Sequence, residues 1–172
     1  MTTPADELLE RVKAVLGADV LDSHAHRGDA TVLVPLERVR ECLLRLRDEP
    51  SLHFNFLIDL TAVDYLGRTP RFELVYHLAS IDTNVLGDKP SAIFRRLRVK
   101  TGVPETPCEA ESIFELWAAA NWMEREVWDM YGIAFRNHPD PRRILLYEEF
   151  KGHPLRKDYP KERRQPLIGP RN

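Results

Sequence analysis

The opening segment of the chain carries apolar residues at helical spacing. The residues at this spacing are Leu8, Leu9, Val12, Val15 and Leu16. Thr3, followed three positions later by Asp6, forms a capping-box pattern, and Pro4 suits the first helical turn. Gly17 stands where such a helix would end. The pattern therefore predicts a helix between Thr3 and Gly17.

Shorter patterns follow. Residues 20–26 and 30–34 lie on either side of Gly28-Asp29, which predicts a hairpin. A second helix is expected after Pro35, with its apolar residues on one side. These residues are Leu36, Val39, Leu43, Leu44 and Leu46.

Three further strands are expected at residues 54–63, 72–78 and 94–100. The second alternates apolar and polar positions, the pattern of a half-buried strand. The order α-β-β-α-β-β-β indicates an α+β fold, with helices packed on one face of a mainly antiparallel sheet.

A third helix is predicted from a capping box at Ser112 and Glu115 to about Tyr131, before Gly132. It contains all three tryptophans, Trp117, Trp122 and Trp128, which do not share one helical face. We therefore expect some of them to fill the core and others to meet the tail or a partner.

Charge and proline content divide the chain at about residue 135. Residues 136–172 hold ten Lys/Arg, five Asp/Glu and six of the thirteen prolines, whereas residues 1–135 are net acidic. We predict an α+β domain over 1–135 and an extended, largely irregular C-terminal tail over 136–172. Few internal contacts are expected to offset the entropy of ordering this tail, so we expect partial disorder without partners.

Composition narrows the functional classes. Cys42 and Cys108 are far apart and form no Cys-x-x-Cys unit, which favours a buried thiol at Cys42 and a reducing compartment. No apolar run reaches the roughly 18 residues of a membrane span, and the first residues do not resemble a signal peptide. Phosphate-binding glycine loops and Ser-His-Asp motifs are missing from the sequence.

The third helix concentrates acidic residues that could act in acid–base chemistry or metal binding. The favoured alternative is an ion-pair network, in which Arg125 reaches Asp129 four residues on and the basic tail pairs with the rest. His24 and His26 share a strand face but lack a third metal ligand. His138 and His153 precede prolines, and orienting a chain turn or meeting a partner is favoured over proton relay or quinone contact. Acidic residues interrupt the basic tail, which favours a protein surface over nucleic acid.

Three ordered motifs carry a family resemblance. They are ANWMEREVWDMYGIAF at 120–135, HPDPRRILL at 138–146 and GHPLRKDYP at 152–160. Together with DLTAVDYLGRTPRFELVYHL at 59–78, they resemble the 30-kDa subunit family of the proton-pumping NADH–quinone oxidoreductase known as respiratory complex I. Asn137 and Pro141 replace the Gly and Leu usual in the family, and Asn tolerates positive φ as Gly does.

The resemblance implies a structural role without a catalytic site. The complex passes electrons from NADH through flavin and iron–sulfur clusters to quinone, and this subunit is expected to hold none of these cofactors. It would lie in the peripheral arm on the cytoplasmic side of the inner membrane. The expected neighbours are the large quinone-site subunit, with the cluster-bearing subunits B and I nearby. Relatives also occur in membrane-bound hydrogenases, which is the alternative parent complex.

The resemblance also points to site residues. We expect the tail to be seated on Glu124, Arg125, Glu126, Asp129 and Tyr131. The candidates for contacts between subunits are Arg142, Arg143, His153, Arg156, Lys157, Asp158 and Tyr159.

Overall fold

The computed structural model describes residues 3–81, 95–162 and 165. The helices are α1 (Pro4–Leu16), α2 (Val39–Asp48) and α3 (Ala120–Tyr131). The strands are β1 (Asp22–His24), β2 (Thr31–Leu33), β3 (Phe56–Asp64), β4 (Phe72–Ser80), β5 (Arg95–Val103), β6 (Glu109–Glu111) and β7 (Ala134–Arg136). Short 3₁₀ turns occupy Gly17–Asp19, His26–Gly28 and Leu36–Arg38.

The first five strands form one sheet in the order β1-β2-β5-β4-β3. All neighbours in it are antiparallel except β2 and β5. Strands β6 and β7 form a separate parallel pair, and α3 connects them. The predicted α+β fold with a mainly antiparallel sheet is confirmed, as is the β1–β2 hairpin.

The core lies between the sheet and the helices. On β4, alternate residues from Phe72 to Leu78 are fully buried and face inward. They form one cluster with apolar residues of the described helices, such as Val12 of α1, Leu43 of α2 and Val127 of α3. Fully burying a large apolar side chain contributes about 1.5–3 kcal/mol, so this shared cluster is what holds the helices on the sheet.

Sequence signals near element ends were confirmed in some places and wrong in one. The Thr3–Asp6 capping box forms as predicted, and the backbone N–H of Gly17 closes α1. The third helix, however, begins at Ala120 and not at Ser112. The backbone N–H of Ser112 instead donates to the Arg136 carbonyl, and its hydroxyl donates to a distant carboxylate, so it cannot cap a helix.

Smaller predictions can be assessed in the same way. The strand expected at 94–100 begins outside the described residues, and β5 continues to Val103. Cys42 is a buried free thiol, and burial raises its pKa to about 11. In the described ranges, no helix combines the length and apolar character needed to cross a bilayer.

The capping box provides a test of the helix start. We expect Thr3→Ala to lower the free energy of unfolding by about 1 kcal/mol, because it removes the side-chain acceptor for the Asp6 N–H. Arg11→Ala, on the exposed face of the same helix, serves as the control and should change stability by less than about 0.5 kcal/mol. Urea unfolding of both variants measures the difference, and equal effects would contradict the capping role.

Candidate functional site

The C-terminal tail folds back over α3. As predicted, its described residues from 137 to 162 contain no helix or strand. The expectation of few internal contacts was wrong, because this segment is bonded to α3, to the end of β3 and to the residue before β4. The positive φ of Asn137, +63°, confirms that Asn serves where the family usually has Gly.

Asp129 is the main anchor of the tail. Its carboxylate is fully buried, and its Oδ2 accepts the successive backbone N–H groups of Ile144, Leu145 and Leu146 at 3.1, 2.9 and 2.9 Å. Its Oδ1 accepts from Arg143 Nη1 at 2.6 Å. Consecutive amides aimed at one anion form a binding nest, here made by the tail around a carboxylate of the domain.

Electrostatics explain why this buried carboxylate stays ionised. Burial alone would raise the pKa of Asp129, because the charged form loses its hydration. The tail amides and the Arg143 guanidinium outweigh burial, and the pKa of Asp129 lies below its usual value. The anion is therefore stable only with the tail in place.

Two arginines connect the tail and α3 in opposite directions. Arg143, from the tail, bonds to Asp129 and to the carbonyls of Phe150 and Gly152, and lies over the Trp128 ring. Arg125, from α3, donates to the carbonyls of Arg142 and Arg143 at 3.0 and 2.9 Å. The predicted pair between Arg125 and Asp129 within the helix was therefore wrong, since both side chains bind the tail.

The second His-Pro motif packs on the end of α3. His153 Nδ1 lies 3.0 Å from the Asp129 carbonyl oxygen, and its ring meets Trp128 edge-on at 6.3 Å. Gly132 ends α3 with φ +77°, and a Cβ there would lie 2.6 Å from the His153 ring. Glycine therefore serves both the turn and the close approach of the tail.

The far end of the described tail is held by a charged cluster around Arg71. The buried Arg71 guanidinium pairs with Asp64 at 2.9 Å, Asp158 at 2.9 Å and Glu105 at 2.5 Å. The Lys157 N–H donates to Asp64 at 2.8 Å. The hydrogen bond from Arg71 is the main cause that holds the pKa of Asp158 at about 2. This cluster joins the tail to the sheet.

Glu124 forms a third contact region, at the start of the tail. Its Oε1 accepts the Ile113 N–H at 2.6 Å and its Oε2 accepts the Ser112 hydroxyl at 2.7 Å. His138, almost fully buried, places Nε2 3.7 Å from Oε2. Its Nδ1 accepts the Asp140 N–H at 3.0 Å, so this histidine orients a chain turn as predicted.

The predicted seat residues divide accordingly. Glu124, Arg125 and Asp129 contact the tail directly, and the Tyr131 carbonyl accepts from Arg156 at 3.5 Å. Burial, then Asp64 and Glu126, raise the pKa of Tyr131. Glu126 is exposed and forms no hydrogen bond or ion pair with the described part of the tail.

The residues expected to contact other subunits lie partly inside the chain's own fold. Arg143, His153 and Arg156 point into the domain, and Arg156 lies 5.0 Å over the Phe72 ring. Tyr159 stacks on Phe150 at 6.1 Å. Arg142 and Lys157 direct their side chains outward, and Arg142 pairs with Asp140. Contacts of these residues with other subunits remain a prediction.

Sequence reasoning missed Asp64, Arg71, Glu105 and Ser112. A usable signal existed only for Arg71, a charged residue between Pro70 and an apolar strand. The tryptophans behave as predicted: Trp117 is buried, Trp128 meets the tail and Trp122 is 68% exposed. Across the described residues, no three His, Cys, Asp or Glu side chains are grouped to hold a metal ion.

Comparison with known proteins agrees with this architecture. The sequence profile of the family described as "Respiratory-chain NADH dehydrogenase, 30 Kd subunit" matches residues 32–165. An NADH-quinone oxidoreductase subunit of Citrifermentans bemidjiense is 48% identical over 141 residues, 82% of this chain and 80% of that protein. The subunit of the same name from Roseiflexus sp. is 46% identical over 153 residues, 89% and 82% of the two chains.

Solved structures show the same fold. The trypsin-resistant fragment (1-134) of Nqo5 is 32% identical, with a TM-score of 0.62, and covers 78% of this chain and 97% of that chain. A chain of the membrane-bound sulfane sulfur reductase, an archaeal respiratory membrane complex, has a TM-score of 0.73 at 20% identity and covers 91% and 86%. The second likeness shows the fold alone.

The fold and the seat define an α+β domain that carries its own tail docked on its third helix. The match to the family profile and the relatives above 40% identity identify it further. The chain belongs to the 30-kDa subunit family of the respiratory-chain NADH dehydrogenase.

Gly132 allows a test of tail packing. We expect Gly132→Ala to destabilise the protein more than Gly67→Ala. Both glycines have positive φ, +77° and +88°, but a Cβ at Gly67 meets nothing within 4 Å. The control should therefore show only backbone strain of about 1–2 kcal/mol, whereas Gly132→Ala also displaces His153. Thermal unfolding measures both, and equal losses would show that the His153 contact contributes nothing.

Asp129 allows a second test. We expect Asp129→Asn to cost about 3 kcal/mol, because it leaves Arg143 and part of the amide nest without a charged acceptor. Hydrogen exchange at Ile144–Leu146 should accelerate, while Glu126→Gln leaves it unchanged. Because the pKa of Asp129 is lowered by folding, its contribution is present above about pH 4 and is lost on further acidification. Exchange in wild type that stays slow below pH 3 would contradict this.

Proposed function

We propose that the chain is a non-catalytic structural subunit of the peripheral arm of a proton-translocating NADH–quinone oxidoreductase. In this role it supports electron transfer from NADH to quinone through cofactors held by other subunits. It binds no cofactor itself and lies on the cytoplasmic side of the inner membrane. Its partners are the large subunit that carries the quinone site, and the cluster-bearing subunits B and I nearby.

The observation that supports this role is the layout of the tail. The motifs shared with the family fold into one continuous seat, in which Asp129 binds three tail amides and Arg71 binds Asp158. These inward contacts fix the backbone of the tail, so its outward side chains are held in place before any partner arrives. A rigid display lowers the entropy cost of binding.

The outward side chains suit a protein partner. Trp122 of α3 is 68% exposed, and Leu145 and Leu155 of the tail are 62% and 51% exposed. Exposed tryptophan is typical of the energetically dominant positions of interfaces. Lys151 and Lys157 are also exposed, which favours an acidic surface on the partner.

The tail also relates to a property of a structural relative. The Nqo5 fragment that resists trypsin comprises residues 1–134 of that protein, and it covers 78% of this chain. By analogy, the domain of the present chain folds with or without its complex, while the tail is completed and protected in the assembly.

The parent complex has one alternative, a hydrogenase-type membrane complex. The structural neighbour from a sulfane sulfur reductase is compatible with it, but that likeness is 20% in sequence. Relatives at 46–48% identity are NADH-quinone oxidoreductase subunits, and they favour the first assignment.

Affinity purification of the tagged chain from native membranes tests the proposal. We expect flavin- and cluster-bearing subunits of the oxidoreductase to co-purify, as identified by mass spectrometry. The paired substitution Leu145→Ala and Leu155→Ala should reduce their recovery at least tenfold, because about 1.4 kcal/mol of lost contact is a factor of ten. Leu21→Ala with Leu66→Ala, which are 61% and 52% exposed in wild type, is the matched control.

Each outcome has a separate meaning. Full recovery with the tail pair would reject the tail as the docking surface but keep the assembly. Recovery of hydrogenase subunits would change the parent complex. Recovery of no membrane-complex subunit with wild type would reject the proposed function itself.

A further inference from the structure

Glu124 lies beneath the first turn of the tail. A cavity of about 70 Å³ separates the two, and its lining residues are Glu124, Arg125, Trp128, Ala134, Phe135, His138 and Pro141. His138 and Pro141 belong to the tail, so the tail forms part of the cavity wall. Movement of residues 137–141 away from α3 would therefore admit water to a carboxyl group that is otherwise fully buried.

The groups in contact with Glu124 are neutral. The carboxyl group accepts from the Ile113 N–H and the Ser112 hydroxyl. The imidazole of His138 is 3.7 Å away, and its Nδ1 accepts the Asp140 N–H, so in this arrangement the ring proton is on Nε2. That proton is directed at the Asn121 carbonyl, 3.0 Å from Nε2. The docked imidazole is therefore uncharged.

The other ionisable groups nearby do not neutralise Glu124 either. Arg125 lines the same cavity, but its guanidinium is bound to Asp140 and to two tail carbonyls. Asp140 adds a negative charge and pairs with Arg142. Tyr76 faces the site from β4, and burial together with Glu124 raises the pKa of its phenol, which keeps it neutral. An ionised Glu124 would thus be a buried charge without a counterion in contact.

We infer that Glu124 is a proton-sensitive switch for the first turn of the tail. The protonated carboxyl favours the docked turn at residues 137–141, and the ionised carboxylate favours its release into water. This role goes beyond subunit assembly, because it ties the attachment of the tail to proton concentration.

The sign of the pH dependence follows from burial. Burial, partly offset by the bonds from Ile113 and Ser112, raises the pKa of Glu124 from 4.5 to about 7. A raised carboxyl pKa stabilises the docked state at low pH, and this stabilisation is lost as pH rises through about 7. Asp129, whose pKa is lowered, behaves in the opposite way and releases the tail only in acid.

Trypsin cleavage after Arg142 and Arg143 tests the switch between pH 6.0 and 8.5. The rate for wild type is divided at each pH by the rate for Glu124→Gln, which removes the pH dependence of the protease. Gln mimics the protonated carboxyl, so we expect this ratio to rise about tenfold over the range. Glu126→Gln, an exposed neighbour on α3, should follow wild type. A constant ratio would overturn the inference.

A second measurement needs no variant. In wild type, hydrogen exchange of the Asp140 amide, corrected for intrinsic rates, should lose protection from pH 6 to 8. The Ile144–Leu146 amides should keep theirs, because the Asp129 carboxylate that binds them stays ionised. Loss of protection at both sets together, or at neither, would show that Glu124 does not control this turn.

Discussion

The buried carboxylate of Asp129 is the constraint on which the tail and the third helix both depend. It sits in the last turn of α3, where the helix dipole disfavours an anion, and it has no exposure to water. Neither cost is offset by groups of the helix itself. The tail supplies three amides and Arg143, so α3 reaches its observed packing only with the tail in place. Domain and tail are therefore one structural unit over the described residues.

Most of the fold followed from local patterns. The helices α1 and α2 and the strands β3 to β5 are long enough for periodicity to appear, and the α1 capping box uses residues three apart. The strands β6 and β7 have three residues each, too few for a period-2 signal. Ser112 matched a capping box by sequence, but its hydroxyl serves Glu124 twelve residues away, a tertiary use that overrides the local pattern.

The site was accessible to sequence reasoning only in part. The family motifs marked Glu124, Arg125 and Asp129, because these residues crowd one helix beside a basic tail. The rule that pairs residues four apart failed for Arg125 and Asp129, since long-range partners bind both. Asp64 and Arg71 gave no local sign of their role, because their partners Lys157 and Asp158 lie 93 and 87 residues away.

These long separations have a consequence for the order in which the protein is made. A ribosome delivers Asp64, Arg71 and Asp129 well before the residues that neutralise them, and domains begin to fold as they emerge. The growing chain therefore cannot complete its charged interior until residues close to its C-terminus exist. A translation product that stops early retains these charges without their partners, so its own instability distinguishes it from a finished subunit.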